Sequence, residues 1–189
     1  MIKCSSKVND KDNLVLFIYD KTNEKKLKEV VSHDVIQLFN TYKKADKLSE
    51  EGVVDIQTAS NPNAPHVLFV HLGDSNDISL DKFRKIAGNV VRKCKAFKRV
   101  QWLSIDSVPN WDSHIAQVIE MVQYTVPNQK SKSNKVTFPI HSVITKDKVN
   151  VEDGVIIGQA VNKARTFANL PANILTTIEF VDQIKSLFK

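Results

Sequence analysis

The chain has 189 residues, a formal net charge of +6, 42% hydrophobic and 25% charged residues. That balance is ordinary for a globular protein, and the length supports one full core with no need of a disulfide or structural metal. Two cysteines distant in sequence, Cys4 and Cys94, form neither a disulfide framework nor a metal pattern. No window approaches the ~20 apolar residues of a membrane span, and residues 1–5 do not read as a signal peptide. A cytoplasmic protein with no membrane partner is the expectation.

In chain order, residues 13–19 are a short apolar run bounded by polar residues, which predicts a buried strand. Residues 26–42 carry Leu27, Val30, Val31, Val35, Ile36, Leu38 and Phe39, the pattern of one helix or two short ones. A strand is expected at 52–58, a Pro/Asn turn at 61–65 and the clearest buried strand at 66–73. The clearest helix spans 79–97. Ser79 suits its N-cap, Asp81 suits its first turn, and Phe83, Ile86, Ala87, Val90, Val91, Cys94 and Phe97 form one stripe.

A strand at 99–105 and a helix at 110–124 follow, the helix turning Ile115, Val118, Ile119 and Val122 inward. Residues 129–135 read as a polar, basic loop. Residues 136–145 read as a strand interrupted by Pro139, which argues for an edge position or a bulge. A helix is expected from 152 to 168, capped by Asn150 or Asp153. Val155, Ile156, Ile157, Ala160, Val161, Ala164, Phe167 and Ala168 would share its apolar stripe. Pro171 ends it, and Thr176-x-x-Glu179 opens a last amphipathic helix with Phe180, Val181, Ile184 and Leu187. Strand and helix alternate through most of the chain, which implies a three-layer α/β fold with helices on the sheet faces.

Few constellations carry chemistry. None of the five histidines makes a helical ligand pair, and no nucleophile and base stand at a specified spacing. Cys94 lies on an inward stripe and reads as a small hydrophobe. Gly73 follows a strand and precedes a helix, but no glycine-rich phosphate loop is present. No catalytic, metal or cofactor-binding residue is assigned.

The polar face of the 79–97 helix is the remaining candidate. Lys82, Arg84, Lys85, Arg92, Lys93, Lys95, Lys98 and Arg99 surround it with one internal acid, Asp81. Lys82, Lys85, Arg92 and Lys93 are the candidate contacts to nucleic acid, through phosphates and without sequence preference. Aromatic interleaving is absent, so stacking on single strands is not expected. A solvated helix face is the competing reading.

The run from Ala164 to Thr177 carries a resemblance. Arg165, Asn169, Pro171, Asn173 and Thr176 fall where the leucine aminopeptidase family has its junction motif between an N-terminal α/β domain and a catalytic domain. Glu120, Tyr124, Val126, Lys130 and Ser131 resemble a second stretch of that family. Met121, Val126 and Thr177 depart from the family's usual Gly, Phe and Pro.

The resemblance implies a mixed, macro-domain-like sheet over residues 1–148, a connecting helix at 149–169 and the start of a catalytic domain at 170–189. It also implies a parent peptidase with two divalent ions (zinc, manganese or magnesium), none of them held by this chain. The parent would be a homohexamer, and some bacterial members bind DNA. The family's metal-ligand motif does not occur here, so the expectation is a chain inactive on its own. The alternative is a stand-alone basic module for nucleic acid or for a regulatory or assembly partner.

Overall fold

The structure, a computed structural model, describes residues 2–44, 52–58, 65–75, 77–106, 109–126 and 137–187. The strands are β1 (Ile2–Ser5), β2 (Asn13–Ile18), β3 (Val53–Gln57), β4 (His66–His71), β5 (Arg99–Ser104) and β6 (Ile140–Ile144). The helices are α1 (Glu24–Lys28), α2 (His33–Lys44), α3 (Leu80–Lys93), α4 (Trp111–Val122), α5 (Lys148–Asn169) and α6 (Thr177–Ser186). A short 3₁₀ turn, Cys94–Ala96, extends α3.

The strands form one sheet in the order β1-β6-β5-β2-β4-β3. All neighbours are parallel except β3, which runs antiparallel to β4 at the edge. The sheet is therefore mixed, and helices cover both faces.

The central strand shows why. In β2 the side chains alternate between faces, yet Leu14 through Ile18 are all buried. Val15 and Phe17 join a core with α3, α4 and Val151 of α5. Leu14, Leu16 and Ile18 join a second core with Leu27 of α1 and Val35, Ile36 and Phe39 of α2. A parallel strand covered on both sides reads as an unbroken apolar run for this reason. Phe83, wholly buried and 5.1 Å from the Phe17 ring, anchors α3 to the sheet. Burying a side chain of that size stabilises the fold by about 2–3 kcal/mol.

Three sequence expectations need correction. β1 was not anticipated, because four residues with only Ile2 and Cys4 facing the core are too short to show a pattern. β6 is internal, between β1 and β5, and Pro139 lies just before it. The ladder loses no donor there, since Ile140 N–H already bonds the Lys98 carbonyl at 3.1 Å. Finally, α5 starts one turn early. Asp147, not Asn150 or Asp153, is its cap, accepting from Asn150 N–H at 3.0 Å. The turn at 61–65 lies almost wholly outside the described residues, and the loop at 129–135 entirely so.

One buried polar pair sits in the first core. Trp102 Nε1 donates to His141 Nδ1 at 2.9 Å. His141 is therefore a neutral imidazole carrying its proton on Nε2, and that nitrogen is buried without a partner among the described residues. Burial pushes the His141 pKa down to about 4.

Candidate functional site: a helix seam and a basic cleft

Helices α4 and α5 make the most extensive helix–helix contact among the described residues. The inner face of α5 is built from Val151, Gly154 and Gly158, all buried. A Cβ at Gly154 would collide with the backbone carbonyl of Ser113. One at Gly158 would stand 2.6 Å from Glu120 Cβ. The Gly154-x₃-Gly158 spacing thus lets two backbones approach as larger residues could not. This corrects the expected stripe of α5: Ile156 is 62% exposed, and Ile157, Ala160, Ala164 and Ala168 are also exposed.

The C-terminal half of α5 then finishes α4. The last carbonyls of a helix have no partners within it, and α4 has no basic residue in its last turn. Asn162 Nδ2 donates to the Glu120 carbonyl at 2.8 Å, and Arg165 Nη1 donates to the Met121 carbonyl at 2.9 Å. The Arg165 guanidinium also lies over the Tyr124 ring, 5.8 Å from its centroid. Its charge faces the negative end of the α4 dipole. Asn169 Nδ2 donates to the Tyr124 hydroxyl at 3.2 Å. The stretches around 120–124 and 162–169, far apart in sequence, are one interlocked unit in space.

The remaining motif residues shape the next turn. The Pro171 carbonyl accepts from Ile174 and Leu175 N–H. Thr176 caps α6, its hydroxyl accepting from Glu179 N–H at 3.2 Å. Asn173 is exposed. No residue of α6 is buried. Among the described residues its ring contact is Phe180 against Phe167, edge to face at 5.2 Å. The outer face of α5 and all of α6 therefore present apolar side chains: Val149, Ile156, Ile157, Ile178, Phe180, Val181 and Leu187.

The four nucleic-acid candidates divide. Lys85 and Arg92 line a cleft of about 500 Å³ between α3, α4 and α5, while Lys82 and Lys93 are exposed outside it. Arg84 and Arg165 complete the cleft, over a floor of Gly88, Val118, Met121 and Val122. Sequence reasoning placed Arg165 in the junction motif alone, because nothing local shows that α5, packed on α4, brings it to the same cleft as α3. His114 Nδ1 accepts from Arg84 Nη2 at 3.2 Å. Burial, and then the Arg84 charge, lower the His114 pKa, which favours the neutral, accepting form.

Elsewhere several acids and histidines are paired with one another or with hydroxyls. The ends of β2 and β5, where such sheets usually receive ligands, carry Asp20 and Asp106. Asp20 meets His71 at 2.9 Å, and Asp106 accepts from the Thr22 hydroxyl. His66 pairs with Asp55 at 2.8 Å. Burial pushes the Cys94 thiol up to about 12, which makes it a poor nucleophile. Among the described residues no group of three or more His, Cys, Asp or Glu is placed to hold a metal ion. No helix among them is long and apolar enough to cross a membrane.

Two curated relatives are each 25% identical: probable cytosol aminopeptidases of Sulfurihydrogenibium sp. (strain YO3AOP1) and Exiguobacterium sibiricum. The matches cover 96% and 76% of this chain, but the chain spans only 39% and 31% of those relatives. Among solved structures the fold resembles bottromycin maturation enzyme BotP, seen in one structure in complex with Mn. There the TM-score is 0.66 at 20% identity, over 94% of this chain and 36% of that one. The model of the cytosol aminopeptidase family's N-terminal domain matches residues 15–133. The chain therefore belongs to the cytosol aminopeptidase family, through its N-terminal domain.

Proposed function

We propose that this chain is the non-catalytic N-terminal part of a leucyl aminopeptidase-like protein. In the parent, a further region would hold two divalent ions and release N-terminal residues from peptides. The observation that carries this reading is the contrast across α5. Its inner face is locked to α4 by the family-like residues Arg165 and Asn169, while its outer face and α6 offer apolar surface. The sequence-based division follows: a body over 1–148, a connecting helix at 149–169, and at 170–189 the first elements of a catalytic domain. Ile178, Phe180 and Val181 would then pack on that domain, in a cytoplasmic homohexamer.

The two-metal chemistry needs several carboxylates converging on closely spaced ions. The described residues provide no such group. The expected outcome is that the purified 189-residue chain, given zinc, manganese or magnesium, does not hydrolyse a leucyl anilide. Metal-dependent turnover that chelation abolishes would overturn the proposal. One observation favours a second reading, a basic binding module: the cations gathered in the α3–α4–α5 cleft.

A further inference from the structure

We infer that the α3–α4–α5 cleft is a binding site for a small molecule bearing two or more phosphates. Three observations converge, and none depends on the family reading. Arg84, Lys85, Arg92 and Arg165 come from two helices and line one concavity, and no carboxylate lines it. Four cations with no carboxylate in the lining give the cleft a positive field that attracts anions. Of the acids nearby, Asp81 lies 3.6 Å from Arg84 but is 95% exposed, which leaves it mostly screened.

Three of the cations are held in place. Arg84 is held by the neutral His114, Arg92 by Asn89 Oδ1 at 2.9 Å, and Arg165 by the Met121 carbonyl and by Asn162. Preorganised guanidinium groups favour anion binding because less side-chain freedom is lost on contact. The cleft volume of about 500 Å³ lies within the ~300–1,000 Å³ range of small-molecule sites.

The shape favours a small anion over nucleic acid. A duplex would need a stripe of cations along an exposed surface, and Lys82 and Lys93 lie off the cleft. The floor of Val118, Met121 and Val122 is apolar and accepts a flat, uncharged part of a ligand, as a nucleoside di- or triphosphate would supply.

The test is calorimetric titration of the 189-residue chain with inorganic triphosphate and with adenosine triphosphate. Saturable one-to-one binding is expected. The double variant Lys85→Gln/Arg92→Gln should weaken it by about ten-fold or more, since it removes two charged donors. Both residues are exposed, so the fold is retained, and circular dichroism checks this. The control Lys82→Gln/Lys93→Gln should change affinity less than two-fold. Equal losses in the two double variants would mean diffuse attraction and would overturn the site. So would the absence of saturable binding at millimolar triphosphate. Tighter binding of a 20-base-pair duplex, weakened alike by both pairs, would assign the surface to nucleic acid and likewise overturn the proposal.

Discussion

The two sides of α5 obey opposite rules. Inward, the helix uses its smallest residues, Gly154 and Gly158, and spends polar side chains on the end of α4. Outward, it carries Val149, Ile156 and Ile157 into solvent, and α6 continues that surface with Ile178 and Val181. Apolar periodicity alone points to the wrong side. A close-packed helix seam can be built from glycine and asparagine, whereas large side chains can mark a surface that awaits a partner.

The contrast can be broken most sharply at Gly154. Gly154→Val would drive a Cβ into the Ser113 backbone and add two methyl groups to a seam with no room for the first carbon. A loss of about 3 kcal/mol or failure to fold is expected, read by urea denaturation. A near-neutral result would mean that the seam is looser than described.

His141 tests the core beneath the seam through pH. Its folded pKa of about 4 lies below the ordinary 6.5, so the unfolded chain takes up a proton first as pH falls. The contribution is fully present above pH 6.5 and is lost as pH drops toward 4. It amounts to about 3 kcal/mol. His141→Gln, which keeps an acceptor for Trp102, should flatten that acid limb in denaturation curves taken from pH 7 to 4. An unchanged limb would place the proton uptake elsewhere.

Arg165→Ala leaves the Met121 carbonyl without its donor. A loss of about 1–2 kcal/mol is expected, with faster amide exchange confined to the α4 C-terminus and α5. Uniform change across the sheet would argue against a local cap. The smallest effect is predicted on the open side. Ile178→Ser should alter the stability of this chain by less than about 0.5 kcal/mol, because the side chain is 77% exposed. A larger loss would show that α6 already packs on the body or on a second copy.

Much of the fold was legible because the sheet is covered on both faces. Runs such as 14–18 and 67–70 have no polar positions to confuse them, and the stripe of α3 matches its buried face from Phe83 to Val91. The Thr176 cap was legible because its signal is local, four residues long. What stayed hidden depends on return contacts. Asn162 and Arg165 act on carbonyls more than 40 residues away, and a carbonyl leaves no trace in sequence. The basic cleft divided the cations of one helix by the arrival of another, which charge counting along α3 cannot show. β1 was hidden by its length, since its register is supplied by β6 rather than by its own four residues.

The pairing of β1 with β6 also sets a timetable. Ile2 is the register partner of His141, so the strand leaves the ribosome long before its neighbour exists. At about 5–20 residues per second, roughly 140 residues of synthesis take about 7–28 s. Through that interval the β6-facing flanks of β1 and β5 stay unzipped, and α4 has no α5 to close its end. Chaperone demand during translation should therefore fall steeply only once the residue-140 region emerges, when two distant pieces of chain complete the domain together.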